Sequence, residues 1–281
     1  MKESGLRLSQ LAPTPVLEDE VALPPVLVVA SGKGGVGKSV VSILLSNALA
    51  EAGHRVLLFD GAQNLGHLHV LLGLSPKRRL EHLVKGEIEP NEMLLSVRDG
   101  LWLVPGDSGA EALYGLPAID QARLHHRLCQ LYHGFDLVVV DAGAGVEGAI
   151  RLATMGGTRL AVVTVPEVAA LTDAYALIKL VHAQLPTLPI DVIVNRTAGS
   201  ADTQETFDRL AAAVDRFLGR ALSLLGGIPE TAALRDALRR PGGILADPGL
   251  VPLRAEVHAL SQLTLALLAG SSAQSPNGRT S

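Results

Sequence analysis

The sequence predicts an α/β fold of the doubly wound type, in which a mostly parallel sheet is covered by helices on both faces. Three observations predict it. Short β-branched apolar runs recur along the chain, helical patterns fill most gaps between them, and a glycine-rich segment joins the first run to the first helical pattern. Alternating strands and helices form βαβ units, whose sheets bind ligands beyond the carboxyl ends of their strands. Functional residues are therefore expected directly after strands.

The predicted elements follow one another in a regular order. The first helical pattern places apolar residues at helical spacing from Val41 to Leu49 and stops at Gly53, a residue suited to the end of a helix. The last helical pattern covers about 253–268. Seven runs have the length and composition of buried strands. They are 26–30, 55–60, 101–105, 137–141, 160–165, 191–195 and 223–228.

The two ends of the chain differ in composition from the rest. Residues 1–24 combine prolines with the acidic stretch 18–20 and predict a mobile arm, and residues 270–281 predict a disordered tail. Residues 25–269 are expected to form a single domain. A chain of 281 residues, 48% of them hydrophobic, can bury about three quarters of its unfolded surface in one core.

Composition and charge exclude several classes of function. The net charge of −4 is too small for the molecule as a whole to attract DNA or anionic lipid. Cys129 is the single cysteine, which excludes an internal disulfide and a cysteine-ligated iron–sulfur cluster within one subunit. The chain has neither a secretory leader pattern nor an apolar stretch of 18 residues, so we expect a cytoplasmic protein.

Residues 32–39 read GKGGVGKS and match the P-loop pattern G-x-x-x-x-G-K-[ST]. Gly32 and Gly37 are needed because the backbone wraps closely around phosphate oxygens with its N–H groups pointing inward. The residues between them that line this cradle are Gly34, Gly35 and Val36. The motif assigns Lys38 to the β- and γ-phosphates and the Ser39 hydroxyl to Mg²⁺. Strand, loop and helix N-terminus come in the order that makes an anion site.

Two aspartates end predicted strands. Asp60 ends the second run and Asp141 ends the run LVVVD. A carboxylate at the end of a parallel strand can hold a Mg²⁺-bound water, and a carboxylate that caps the following turn looks the same in sequence. The P-loop upstream favours the metal role for both. Gly143 and Gly145 would let the loop after Asp141 approach the γ-phosphate.

The segment KGGVGKS has an extra lysine, Lys33, directly before its paired glycines. With this lysine it resembles the deviant Walker A motif of the MinD/ParA family of dimerising ATPases. The resemblance covers nearly the whole chain. It implies a SIMIBI-class P-loop NTPase that binds ATP and Mg²⁺, forms a homodimer on ATP binding and extends Lys33 to the partner's nucleotide. A lysine suits that role because it carries a compact charge on a long side chain. A lysine that is simply solvated in a loop would look the same in the sequence.

Two segments narrow the resemblance. DAGAGVEG and PEVAALTDAYALIK are similar to segments of flagellar-number regulators of the FlhG (FleN) type. The resemblance implies a role in flagellar number or placement with an FlhF-like GTPase or another flagellar regulator as partner. VIVNR with Asn195 resembles the adenine-contacting segment, and GGIPE with Pro229 the loop that covers the base. TDAYALIK also has a purely structural explanation, with Thr172 as N-cap and Asp173 as a favourable first-turn charge.

The chain departs from the family at one catalytic position. Where relatives read D-x-D, this chain has Ala62, which can neither accept a proton nor orient water. Hydrolysis in this class depends on positioning and charge stabilisation, so we expect ATP binding with slow or lost hydrolysis. The alternatives left open are rescue by Gln63 and a non-hydrolysing, ATP-dependent scaffold.

Contacts with membrane, protein and DNA have weaker support in the sequence. The arm offers only Leu6 and Arg7 of the segment by which relatives stimulate a partner GTPase, and Arg254 is the only cation between Leu253 and Leu268. We therefore favour a core-packing last helix, with an apolar face at Leu253, Val257, Leu260, Leu263 and Leu267, over a membrane-binding one, although peripheral contact with the inner face of the membrane stays open.

Short basic and histidine clusters receive structural explanations. A solvated surface is favoured over DNA contact for the basic clusters 77–79 and 235–240, which leaves a ParA-type DNA-partitioning ATPase as an alternative. The pairs His67/His69 and His125/His126 lack the spacing and the cysteines of a metal site.

Overall fold

A computed structural model describes residues 23–61, 67–78, 82–83, 85–106, 126–144, 148–150, 153 and 157–272. These residues form one sheet, with helices before and after most strands. The strands are β1 (Val26–Ser31), β2 (Val56–Asp60), β3 (Leu95–Arg98), β4 (Leu101–Val104), β5 (Leu137–Ala144), β6 (Arg159–Thr164), β7 (Ile190–Thr197) and β8 (Ser223–Pro229). The helices are α1 (Lys38–Glu51), α2 (Leu68–Leu71), α3 (Val168–Gln184), α4 (Ser200–Leu218), α5 (Ala232–Ala237), α6 (Gly243–Ala246) and α7 (Arg254–Ser272). Two 3₁₀ segments cover Pro90–Met93 and Pro248–Leu253.

The sheet has the strand order β3-β4-β2-β5-β1-β6-β7-β8. Neighbouring strands are parallel except for β3 and β4, so the predicted mostly parallel, doubly wound sheet is confirmed. Strand β1 lies between β5 and β6, and the chain passes from β1 to β2 on one side and from β6 to β8 on the other. The carboxyl end of β1 is thus a switch point, where such sheets bind ligands.

Strand β3 was not among the predicted runs. Among the described strands it pairs only with β4, and its residues alternate between half-buried and exposed, which is typical of an edge strand. Asp99 and Gly100 (φ 79°) connect it to β4. An Asp-Gly pair between two apolar runs is a hairpin signal, so the sequence contained the information for this strand.

Two apolar cores lie on opposite faces of the sheet. Val28 of β1 faces one core and Val29 faces the other, as the alternation of side chains along a strand requires. Helices α3 and α4 cover the first core with residues such as Leu177 and Val214. Helices α1 and α7 cover the second, with residues such as Ile43. Because both faces are covered, the central strands are fully buried and lack polar alternation.

Helix α7 packs against α1 and β8. Its residues Val257, Leu260 and Leu268 are buried, so the structure supports the core-packing interpretation of the last helix. Leu263 does not belong to this face, since it is 47% exposed, and the buried face includes Thr264 instead. No helix in the described part of the chain is long and apolar enough to cross a bilayer. Nearly all residues of the predicted arm and tail lie outside the described residues.

Candidate functional site

The glycine-rich loop lies where the sequence predicts it, between β1 and α1, and two of its glycines, Gly32 and Gly37, are sterically required. A Cβ on Gly32 would lie 2.0 Å from the carbonyl oxygen of Asp173, and one on Gly37 would lie 2.3 Å from Nδ2 of Asn195. Gly35 and Gly37 also have positive φ angles of 80° and 85°. The loop is therefore pressed against α3 on one side and the end of β7 on the other.

The N-terminus of α1 opens directly onto this loop. Gly37 is the N-cap residue and provides no side-chain cap, so the first N–H groups of the helix have no partner inside the helix. Gly34 and Gly35 are exposed, and a Cβ on either would meet nothing within 4 Å. Ser39 is the second residue of α1 and is half-buried. A helix terminus with free N–H groups beside an open loop fits a phosphate group.

Lys38 and Asp141 form a buried ion pair beneath the loop. The Lys38 Nζ donates to Oδ1 of Asp141 at 2.5 Å, and the side chains are 8% and 1% exposed. The Ser42 hydroxyl oxygen lies 3.3 Å from the same carboxylate oxygen. The second oxygen of Asp141, Oδ2, is buried and makes no hydrogen bond to any residue that the structure describes. A buried carboxylate oxygen without a partner is costly, so this atom fits a site for Mg²⁺ or a Mg²⁺-bound water.

Asp60 lies directly beside Asp141. The two residues are register partners at the carboxyl ends of β2 and β5, and both are buried. The backbone N–H of Leu68 donates to Oδ2 of Asp60 at 3.1 Å. Gly106 lies so close that a Cβ there would be 2.9 Å from the Asp60 carboxyl carbon. The structure thus brings together the P-loop, Lys38 and both predicted metal carboxylates.

Lys33 lies at the edge of the same site. Its Nζ is 3.0 Å from Oε2 of Glu167, the residue before α3, and the two side chains are 39% and 57% exposed. Its backbone carbonyl accepts a hydrogen bond from the Ser31 hydroxyl at 3.0 Å. An exposed ion pair of this kind contributes about 1 kcal/mol or less, so the lysine is held only weakly.

The end of β7 contacts the outside of the loop. Asn195 is 4% exposed, and its Nδ2 donates to the carbonyl of Val36 at 2.8 Å. Arg196 donates from Nη2 to the carbonyl of Gly35, also at 2.8 Å, with a backbone φ of 57°. Arg196 was missed by sequence reasoning, because no local pattern marks a residue whose role depends on a strained backbone and a distant loop.

A cavity of about 500 Å³ opens beside this contact, at the ends of β6, β7 and β8. Its lining includes Pro166, Arg196, Thr197, Glu230 and Arg235. Pro229 is the last residue of β8 and the register partner of Thr197, so it lies at the same end of the sheet. The volume lies within the range of small-molecule sites.

Helix α3 begins earlier than the capping interpretation of TDAYALIK required. The helix starts at Val168, and Thr172 lies inside it with its hydroxyl donating to the Val168 carbonyl at 3.0 Å. Thr172 is therefore not an N-cap, Asp173 does not lie in the first turn, and both predictions are wrong. The physical reason is that Glu167, with an extended backbone (φ −122°, ψ 135°), is the N-cap residue, so the helix begins one turn before Thr172.

Other candidate residues are dispersed or lie outside the described residues. Arg235, Arg239 and Arg240 pair with Glu230, Asp236 and Asp247, respectively. In the described ranges no group of three or more histidine, cysteine or acidic side chains could hold a metal. Ala62, Gln63, His125 and Gly145 lie outside the described residues.

Comparison with known proteins identifies the class. Residues 27–241 match the family model described as the CobQ/CobB/MinD/ParA nucleotide binding domain, and the chain belongs to this family. The antiactivator FleN of Pseudomonas aeruginosa is 34% identical over 215 residues, which cover 76% of this chain and 77% of FleN. The flagellum site-determining protein YlxH of Helicobacter pylori is 33% identical over 217 residues, which cover 76% of this chain and 72% of YlxH.

A solved structure confirms the fold independently. The septum site-determining protein MinD from Pyrococcus horikoshii, complexed with Mg-ADP, superposes with a TM-score of 0.68 over 89% of this chain and 99% of that one, at 22% identity. At that identity the likeness establishes the fold alone. Together the comparisons confirm the resemblance to the MinD/ParA family and to its FlhG-type members.

Proposed function

We propose that this chain is a Mg-ATP-binding switch protein that dimerises around its nucleotide and passes its nucleotide state to a partner in the control of flagellar number or placement. The observation that supports it most directly is the buried Lys38–Asp141 pair beneath an open glycine loop, with one carboxylate oxygen that has no partner among the residues that the structure describes. The domain that carries this activity would be 25–269.

Different groups of the loop and its neighbours would bind the phosphates of ATP and the Mg²⁺ ion. The N–H groups of the cradle residues 34–37 and of the first turn of α1 would hold phosphate oxygens, and Lys38 would neutralise their charge. Ser39 would hold Mg²⁺ directly, while Asp60 and Asp141 would orient its water ligands. When bound, Mg²⁺ supplies the positive charge that stabilises charge on the β- and γ-phosphates.

The base would lie in the cavity at the ends of β6 to β8. Asn195 and Pro229 lie on the neighbouring strands β7 and β8, whose ends border this cavity, and the resemblance implies adenine contacts for both. The buried Asn195 amide is bound to the loop through Nδ2, so its carbonyl oxygen is the atom available to a base amino group.

Lys33 would link nucleotide binding to dimerisation. Its pair with Glu167 is exposed and weak, so little energy holds the lysine on its own protomer. In an ATP-bound dimer, Lys33 would leave Glu167 and extend to the phosphates held by the partner. A charge supplied across the interface makes the dimer depend on the nucleotide and the nucleotide depend on the dimer.

Hydrolysis is proposed to be slow. Ala62 follows the β2 carboxylate Asp60 by two positions and has no group that could orient a water molecule. This residue favours a second candidate function, an ATP-dependent scaffold that does not hydrolyse its nucleotide. Rescue by Gln63 would restore the enzyme, since a glutamine orients the attacking water in some GTPases.

The flagellar role rests on the relatives. FleN is named an antiactivator and YlxH a flagellum site-determining protein, and both match more than seven tenths of this chain. We propose a flagellar regulator or an FlhF-like GTPase as the partner. The rival role in DNA partitioning gains little from the basic cluster 235–240, because Glu230, Asp236 and Asp247 lie beside its arginines and offset their charge.

One experiment tests the nucleotide switch directly. Isothermal titration calorimetry with Mg-ATP should show binding, and size-exclusion chromatography should show a dimer with ATP or a nonhydrolysable analogue and a monomer with ADP. A phosphate-release assay on the same samples separates the slow ATPase from the scaffold. Absence of any heat of binding with Mg-ATP would overturn the proposal.

A further inference from the structure

Two consecutive residues at the end of β7 bind two consecutive carbonyls of the P-loop. Asn195 Nδ2 donates to the carbonyl of Val36 and Arg196 Nη2 to the carbonyl of Gly35, both at 2.8 Å. In a regular strand, neighbouring side chains point to opposite faces of the sheet, so two neighbours cannot both reach the same loop.

The backbone at Arg196 departs from strand geometry in a way that removes this restriction. Its φ of 57° is left-handed, and among the described residues it is the one non-glycine with a positive φ. The register between β7 and β8 also shifts between Asn195 and Thr197. A bulge of this kind redirects a side chain, and a strained non-glycine residue beside a candidate site points to a function for the strain.

Holding these two carbonyls also orients two N–H groups. A peptide bond is planar and trans, so the carbonyl of one residue and the N–H of the next point in opposite directions. The Gly35 carbonyl belongs to the same peptide group as the Val36 N–H, and the Val36 carbonyl to the same group as the Gly37 N–H. Drawing both carbonyls outward toward β7 therefore turns both N–H groups away from β7.

From this geometry we propose that Arg196, together with Asn195, is a positioning residue that orients the P-loop N–H groups for phosphate. The inference rests on the proposed function, because it assumes that the loop binds a nucleotide. Arg196 acts on the ligand through the loop. A loop whose N–H groups are oriented in advance avoids the cost of ordering them on binding.

The choice of arginine is consistent with this role. The side chain is long enough to return from the end of β7 to the exposed part of the loop, and its charged N–H groups make strong hydrogen bonds to carbonyl oxygens. Arg235 lines the same cavity, but its guanidinium pairs with the carboxylate of Glu230 at 3.1 Å.

The test compares Arg196→Gly, Arg196→Ala, Arg196→Lys and the control Arg209→Ala, at an exposed arginine of α4, in the full chain. Glycine accepts the left-handed backbone without strain, so Arg196→Gly removes the guanidinium alone, whereas alanine also keeps the strain. The affinity for Mg-ATP is measured by calorimetry, and the melting temperature of each ligand-free variant is measured by circular dichroism.

We expect Arg196→Gly to weaken Mg-ATP binding about tenfold, the effect of losing one hydrogen bond to a charged donor, without lowering the ligand-free melting temperature. Arg196→Lys should recover part of the affinity, since lysine retains a donor, and Arg209→Ala should bind as the unchanged chain does. Arg196→Ala should be as weak as the glycine variant and melt at a lower temperature.

Two results would overturn the inference alone. One is binding by Arg196→Gly within about twofold of the unchanged chain, and the other is an equal loss in Arg209→Ala, which would make the overall positive charge and not the loop contact responsible. If the unchanged chain binds no Mg-ATP, the proposed function fails and this inference with it.

Discussion

Asp60 and Asp141 occupy the same register position on neighbouring parallel strands, yet their carboxylates are bound differently. Oδ2 of Asp60 accepts from a backbone N–H, whereas Asp141 is bound through Oδ1 to Lys38 and leaves Oδ2 without a partner among the described residues. Neighbouring strands lie about 4.8 Å apart, so the two carboxylates share one small region at the end of the sheet. One is fixed, and the other retains capacity for a ligand.

The Lys38–Asp141 pair should contribute to stability as well as to binding. Asp141→Ala leaves the Lys38 ammonium buried without a counter-charge and should lower the free energy of unfolding by about 3 kcal/mol, measured by denaturant titration. The double variant Lys38→Met with Asp141→Leu removes both charges and should recover most of that loss while binding no Mg-ATP. Restored ATP binding in the double variant would contradict the assigned role of the pair.

Lys33 should affect the dimer and leave the fold unchanged. We expect Lys33→Ala to abolish ATP-dependent dimerisation in size-exclusion chromatography while changing the free energy of unfolding by less than about 1 kcal/mol, because its pair with Glu167 is exposed. Lys179→Ala, at an exposed lysine of α3, is the matched control. ATP-driven dimers of normal yield in Lys33→Ala would remove the proposed role in trans.

Ala62, which cannot orient a water molecule, should limit the rate of ATP hydrolysis. Ala62→Asp should raise the rate of phosphate release by about 100-fold if positioning limits the natural chain, without a large change in ATP affinity. Gln63→Ala is measured beside it. A fast natural chain that slows in Gln63→Ala and gains nothing from the aspartate would establish glutamine as the substitute.

Two loop glycines should differ sharply in their tolerance of alanine. A Cβ on Gly32 would lie 2.0 Å from the backbone carbonyl of Asp173, so Gly32→Ala should cost about 1–3 kcal/mol and disturb ATP binding. Gly34→Ala meets nothing within 4 Å and should leave the free energy of unfolding within about 0.5 kcal/mol of the unchanged chain. Equal effects in the two variants would show that the loop does not approach α3 in this way.

Acid should weaken the contact between Arg55 and Asp136, the residues just before β2 and β5. The backbone N–H of Arg55, at 2.7 Å, and then its guanidinium hold the pKa of Asp136 below its ordinary value. A carboxyl whose pKa is lower in the folded state stabilises the fold above its unfolded pKa, about 3.9, and this contribution disappears as the pH falls through the folded pKa.

Asp136→Asn should therefore reduce stability at neutral pH and have no effect in strong acid. The reduction should stay below about 1 kcal/mol, because the Arg55 and Asp136 side chains are 59% and 39% exposed. Melting curves of both proteins from neutral pH downward measure the difference, with Glu205→Gln, at an exposed carboxyl on α4, as the control. A difference that persists unchanged in strong acid would mean that the charge of Asp136 is not responsible.

Local patterns predicted the parts of this molecule that depend on local physics. The central strands are buried on both faces and therefore appear as continuous apolar runs, and the P-loop glycines follow a local motif in which Gly35 and Gly37 have the positive φ angles that glycine favours. The carboxylates Asp60 and Asp141 were predicted together because parallel strands end at the same edge of a sheet. These features need no knowledge of distant contacts.

Features that depend on tertiary contacts could not be predicted in the same way. The hydrogen bond from Arg196 to Gly35 and the ion pair of Lys33 with Glu167 each join residues more than a hundred positions apart. The left-handed backbone of Arg196 accompanies the first of these contacts. Leu263 fitted the apolar face of the last helix by spacing, but its position on α7 is 47% exposed. Strand β3 was not predicted, although the Asp-Gly pair that joins it to β4 is a hairpin signal in the sequence.

Because Gly32 packs closely against α3, a movement of that helix would also move the P-loop. The carbonyl of Asp173 leaves no room for even a methyl group at Gly32, and the residue just before the helix holds Lys33. Closely packed interfaces move as units because they cannot be compressed. A partner that pushes on the outer side of α3 would therefore displace the loop with it, and could sense or trigger loss of the bound ligand without touching that ligand.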